Sequence, residues 1–184
     1  MSNRDWRVTA SSYVVDSHFL RLRKDTIELP DGSIVRDYYV RESRGFVIVF
    51  AVTEGNRVVL VRQYKHGIGQ ELLELPAGAI DPGEKPIDTA VRELREETGY
   101  TASSMEFLRS FIVDPTNSDT VAHLFLARDS RHTSQQNLDV TEQIETSLVD
   151  AKALLELVRD GTIDSVSHVA SIYVVLDLLK AEAG

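Results

Sequence analysis

Three glutamates, Glu93, Glu96 and Glu97, stand at i, i+3 and i+4 in the run Arg92-Glu93-Leu94-Arg95-Glu96-Glu97. On an α-helix, at about 100° per residue, they share an arc of roughly 100°. Carboxylates held that closely repel one another. Their place late in the helix, near the negative end of its dipole, adds to the cost. Something positive must offset it. A hard divalent cation takes oxygen ligands, and Mg²⁺ suits a site whose remaining ligands are phosphate oxygens. A Glu-rich helix face is often only a solvated surface, so the residues around the trio must decide.

Those residues form a long pattern. From Gly78 to Tyr100 the chain reads GAIDPGEKPIDTAVRELREETGY. This is G-x5-E-x7-R-E-U-x-E-E-x-G-U, with U a bulky apolar residue. It resembles the box of the Nudix hydrolases, enzymes that cut nucleoside diphosphates linked to another moiety. The resemblance makes Glu93 and Glu97 the first metal ligands, with Glu96 close by and the Ala77 carbonyl joining them. It makes Gly78 the point where the backbone approaches the metal. It assigns Arg92 to orienting the carboxylates and Glu84 to pairing with Arg92. The cofactor it implies is Mg²⁺, with Mn²⁺ as the alternative.

The elements that position these groups are legible too. Pro86 suits the first turn of a helix and Gly99 suits the position just past its end. Ile87, Ala90, Val91 and Leu94 repeat at i, i+3, i+4, i+7 and predict one buried face. Upstream, Tyr13–Asp16, Leu20–Glu28 and Ile34–Arg41, with a Pro30-Asp31-Gly32 turn, read as a small antiparallel unit. Phe46–Val52 and Arg57–Gln63 flank Glu54-Gly55-Asn56 and predict a hairpin. Leu72–Pro76, Met105–Val113, Thr120–Ala127 and Glu142–Leu148 read as strands, and Arg128–Asp139 as a polar, mobile loop. Val149–Arg159 and Val166–Glu182 read as helices. Strands enclosed by helices predict an α+β fold, an α/β/α sandwich with a mixed sheet. The expected domains are a β-unit over 1–43 and, by the resemblance, a Nudix domain over 44–184.

Residues outside the box bear on the substrate. Arg62-Gln63-Tyr64-Lys65 followed by Glu71-Leu72-Leu73-Glu74-Leu75-Pro76-Ala77-Gly78 resembles the ADP-ribose pyrophosphatase branch, with its RQYR…LLELPAG run. Pro115, 16 residues after Gly99, stands where that branch carries a proline. The N-terminal β-unit resembles the segment that branch exchanges within a homodimer. The implied reaction is metal-dependent hydrolysis of ADP-ribose or a related nucleoside diphosphate sugar. Lys65 stands where the branch usually has Arg, a point charge in place of a bidentate fork. Arg36, Arg41, Arg44, Arg62 and Lys65 are candidate phosphate or ribose contacts, and Trp6, Tyr13 or Phe19 candidate base-stacking partners. The branch often takes its general base from a glutamate on a late loop. Glu142 is the choice here, with Asp139 and Glu145 as fallbacks. His18, His66, His123, His132 and His168 show no metal-ligand spacing and read as structural or exposed. A non-catalytic sensor of nucleotide sugars, or a hydrolase of nucleoside triphosphates or dinucleoside polyphosphates, are the competing readings.

Composition narrows the partners. A net charge of −9 over 184 residues argues against nucleic acid and anionic membrane. There is no cysteine, hence no disulfide framework, thiolate nucleophile or cysteine zinc site. No apolar run approaches about 18 residues, and the first residues lack an apolar signal core. A cytoplasmic protein is the expectation.

Overall fold

A computed structural model describes residues 5–18, 20–140, 142–182 and 184; Phe19 lies outside the described residues. The chain forms two compact units. One comprises Met1–Gly45 with Ile112–Val121, the other Phe46–Phe111 with Ala122–Gly184.

The first unit is a three-stranded antiparallel sheet of β1 (Arg7–Asp16), β2 (Arg21–Glu28) and β3 (Ile34–Glu42), in that order. Gly32, at φ 84°, closes the turn between β2 and β3, where Asp31 Oδ1 accepts the Ser33 N–H at 2.9 Å. Asp25 is buried and compensated by Ser11 at 2.7 Å and Arg23 at 3.0 Å. The 112–121 segment is tied on by Arg41 N–H to the Asn117 carbonyl, 2.8 Å, and Ser43 N–H to Asp119 Oδ1, 2.8 Å. Every residue of β1 is exposed, including Val8, Tyr13, Val14 and Val15.

The second unit runs through β4 (Phe46–Ala51), β5 (Arg57–Lys65), β6 (Gln70–Glu74), β7 (Ala77–Ala79), α1 (Pro86–Thr98) and β8 (Tyr100–Thr101). It continues with β9 (Ser104–Ile112), β10 (Val121–Arg128), β11 (Arg131–His132), β12 (Ile144–Asp150), α2 (Leu154–Arg159) and α3 (Val166–Glu182). One sheet has the order β7-β4-β10-β9, with β4 and β10 parallel and β4 and β7 antiparallel. A second has the order β12-β5-β6, and β8 pairs with β11. Alternation along β4 builds two cores. Ile48 and Phe50 join Leu154, Ile163, Ile172 and Val175, on and between α2 and α3. Val47, Val49 and Ala51 join Ala90 and Leu94 of α1. The result is the expected α/β/α sandwich with a mixed sheet.

Three expectations change. The Glu54-Gly55-Asn56 connection is not a hairpin, because β4 already pairs with β7 on one edge and β10 on the other. The chain therefore crosses to the other sheet, with a single bridge at Val52–Val58. The helix expected from Val149 begins at Leu154, because β12 stays in register with β5 as far as Asp150–Arg57. On α1 the buried residues are Thr89, Ala90, Glu93, Leu94, Glu97 and Thr98, while Ile87 and Val91 are exposed. The face that meets the protein carries the carboxylates.

Candidate active site

The site grows from the contact of α1 with β7. Pro86 starts the helix, and Gly99, at φ 74°, ends it with its N–H on the Arg95 carbonyl. The Arg128–Asp139 connection forms β11 and then seals that end. Thr133 N–H reaches the Gly99 carbonyl at 2.9 Å and Asn137 N–H the Glu96 carbonyl at 2.9 Å. Gln136 Nε2 adds a bond to the Glu97 carbonyl. On the other side, β7 is held to β4 by Val47–Gly78 and Ile48–Ala77 pairing, and Val49 N–H donates to the Pro76 carbonyl at 2.8 Å.

These constraints bring Glu93 and Glu97 against Ala77 and Gly78. The Ala77 N–H donates to Glu97 Oε2 at 2.9 Å. A Cβ at Gly78 would overlap the Glu93 carboxylate, so only glycine admits that side chain there. Burial pushes Glu97 up to about 8, and the negative charges of Glu93 and Glu142 add to it. Burial also raises Glu93, with Glu142 and Glu96 contributing in the same direction. Glu142 is therefore within electrostatic reach of both. Its Oε2 accepts the Asp139 N–H at 2.9 Å, and its own N–H bonds the Asp139 carbonyl at 2.9 Å. Glu145, in register with Arg62 across β12 and β5, is exposed.

Arg92 braces the cluster. Its guanidinium donates to Glu84 at 2.9 and 3.0 Å, Glu93 at 2.7 Å, Glu96 at 3.1 Å and the Ala79 carbonyl at 3.4 Å. Thr89 adds a 2.8 Å bond to Glu84. Arg92, foremost, holds Glu84 down to about 2. The contribution to stability is present above about 4.5 and is lost as pH falls toward about 2. Glu84→Gln is expected to lower the unfolding free energy by about 1–3 kcal/mol at neutral pH. In urea titrations across acid pH the gap between wild type and variant should close; a constant gap would deny the carboxylate this role.

The donor chemistry fits a hard divalent cation: two buried, mutually repelling carboxylates, Glu93 and Glu97, against the Ala77–Gly78 backbone. Among the described residues no three such groups converge on one point. Glu93 and Glu96 are turned toward Arg92, at 2.7 and 3.1 Å, so a cation held there would compete with the guanidinium for them.

Of the candidate substrate contacts, Arg62 is exposed on β5 and Lys65 half-buried at its end. Arg36, Arg41 and Arg44 are exposed in the first unit, as is Pro115, in a turn where Asp114 accepts the N–H groups of Asn117 and Ser118. Trp6 meets Tyr38 edge-on at 5.8 Å, and the Tyr13 hydroxyl donates to Glu42 at 2.9 Å. Sequence reasoning passed over Glu74, which is buried and ion-paired with Lys65 at 3.0 Å. A carboxylate between Leu73 and Leu75 in a short apolar strand was the available signal, since buried carboxylates need partners.

Residues 42–167 match the NUDIX domain, and residues 6–40 the nucleoside diphosphate sugar hydrolase N-terminal domain. The chain belongs to the Nudix hydrolase family, whose cofactor is a divalent metal ion. Among its relatives, the methanol dehydrogenase activator of Bacillus methanolicus is 34% identical over 89% of each chain. The ADP-ribose pyrophosphatase of Bacillus subtilis is 32% identical over 86% of each. A crystal structure of an ADP compounds hydrolase shares the fold, with a TM-score of 0.85, 22% identity, and coverage of 99% of this chain and 98% of that one.

Proposed function

We propose that this enzyme hydrolyses the diphosphate linkage of ADP-ribose or a related nucleoside diphosphate sugar, giving a nucleoside monophosphate and a sugar phosphate. The observation that carries the reading is the joining of a complete carboxylate box to an N-terminal segment matching nucleoside diphosphate sugar hydrolases. Glu93, Glu97, Glu96 and the Ala77 carbonyl would hold the metal, Mg²⁺ with Mn²⁺ as the alternative. When bound, the cation neutralises phosphate charge and lowers the pKa of its water. Arg92 orients the carboxylates. Glu142 accepts the proton of the attacking water, a role supported by its negative charge raising both Glu93 and Glu97. Lys65 and Arg62 contact the phosphates, and Arg36, Arg41, Arg44 and Pro115 are further substrate contacts. With ADP-ribose, chromatography should find AMP and ribose 5-phosphate, and none in EDTA. Turnover in EDTA would remove the metal mechanism. Inertness toward every nucleotide sugar, with activity on triphosphates, would remove the substrate class.

The protein acts as a homodimer in the cytoplasm, with residues 1–43 packed or exchanged between subunits. The exposed apolar residues of β1 support this, since a thin sheet buries too little to stand alone. Size-exclusion chromatography with light scattering should give a dimer at micromolar concentration, and a stable monomer rejects it. A chain lacking residues 1–43 that still dimerises and binds substrate normally would relieve that segment of both roles.

A further inference from the structure

Lys65 reaches Glu74 by an unusual path. In the β5–β6 ladder Lys65 is opposite Gln70, while Glu74 is opposite Val61. To place Nζ 3.0 Å from Glu74 Oε2, the lysine stem must run back along β5. On the way Nζ donates to Gln63 Oε1 at 2.6 Å. An unrestrained lysine at that position would extend toward water at the hairpin tip. Here the ammonium is drawn toward the end of β6 that leads into Pro76, Ala77 and the carboxylates.

Glu74 is in turn held from within. His168, in the first turn of α3, is buried and places Nε2 3.3 Å from Glu74 Oε1. Its Nδ1 accepts the Leu75 N–H at 3.2 Å. That bond requires Nδ1 to lack a proton, so in the neutral ring the hydrogen sits on Nε2, facing the carboxylate. Burial holds His168 down to about 4, in keeping with a neutral ring. One imidazole thus satisfies a backbone donor left over where β6 ends and fixes the rotamer of Glu74.

A lysine needs such support more than an arginine would. Its charge sits on a flexible stem, with no planar fork to set its direction. Glu74, which the ammonium reaches, lies three residues before Ala77, whose N–H bonds Glu97 at 2.9 Å.

We infer that His168 is a positioning residue: through Glu74 it aims the Lys65 ammonium at the diphosphate held beside Glu93 and Glu97. The inference rests on the reading of Lys65 as a phosphate contact. A merely structural His168 would contribute to stability and nothing else, and a double-mutant cycle separates the two roles.

The experiment uses the full chain with Mg²⁺, ADP-ribose as substrate, and thermal unfolding as a check on folding. Lys65→Met should raise KM roughly 10- to 100-fold, the scale of one lost charged hydrogen bond. His168→Leu should raise KM about tenfold with little change in kcat. The double variant should be no worse than Lys65→Met alone. His168→Asn keeps an acceptor for the Leu75 N–H but has no donor reaching Glu74. It should fold stably and still show the raised KM, whereas His168→Gln, with a donor at the right reach, should recover part of it. Additive effects of His168→Leu and Lys65→Met, or a wild-type KM in a folded His168→Asn, would overturn the positioning role while leaving Lys65 as a phosphate contact. A wild-type KM in Lys65→Met would remove the phosphate contact itself, and the positioning role with it.

Discussion

Replacing Glu97 by Gln is expected to lower turnover by about two orders of magnitude or more while leaving the fold intact. The side chain is 3% exposed, accepts the Ala77 N–H at 2.9 Å and faces the charges of Glu93 and Glu142. A glutamine Oε1 preserves the backbone bond and replaces a carboxyl whose ionisation burial penalises with a neutral amide. The metal-free variant should therefore unfold at the wild-type temperature or above it. Metal removes the ambiguity between folding and chemistry. Wild type should gain thermal stability as Mg²⁺ is added, since a cation that binds only the native state stabilises it by mass action. Glu97→Gln should lose most of that gain. Glu142→Gln should keep it and lower kcat alone, because Glu142 is assigned to the water's proton and not to the metal. Near wild-type turnover in Glu97→Gln would show that Glu97 is no ligand. If the two variants behave alike, Glu142 is not a separate base.

The expectation for α1 illustrates what the sequence carried and what it hid. Its boundaries were legible because proline and glycine act locally: Pro86 opens the helix and Gly99 closes it. Its inward face was not, because hydrophobic periodicity assumes that buried means apolar. Ile87 and Val91 match that period and are exposed, whereas Glu93 and Glu97 are buried with Ala90 and Leu94. A site that must hold charge out of water inverts the pattern there. The Glu54-Gly55-Asn56 turn failed for a different reason. Turn chemistry fixes a reversal of the chain but not which sheet receives the next strand. That depends on β10, some 65 residues onward, having already filled the free edge of β4. Strand β7 escaped notice because three small residues carry no periodicity. His168 reads as structural or exposed and is buried; its partners, Leu75 and Glu74, lie 93 and 94 positions away, beyond the reach of any local pattern.

Gly78→Ala should disable the enzyme almost as severely, by about a hundredfold or more in kcat/KM. The reason is space, not backbone freedom. Gly78 is absent from the glycines with positive φ, so an alanine can adopt its backbone conformation without strain. Its new Cβ, however, would overlap the Glu93 carboxylate. Either β7 moves off β4, breaking the Val47–Gly78 pairing, or Glu93 turns away from the Ala77–Gly78 backbone. The second course is cheaper, since Glu93 can rotate while keeping Arg92, 2.7 Å away, as a partner. The overpacking should then cost about 1–3 kcal/mol of stability, a folded protein whose carboxylate points the wrong way. This origin is testable through coupling. If Gly78→Ala acts by displacing Glu93, combining it with Glu93→Gln should add little to the loss caused by Glu93→Gln alone. Full additivity would place the damage elsewhere in the loop. Wild-type kinetics in Gly78→Ala would mean that the Glu93 carboxylate need not occupy the position assigned to it, and the ligand set would have to be drawn without it.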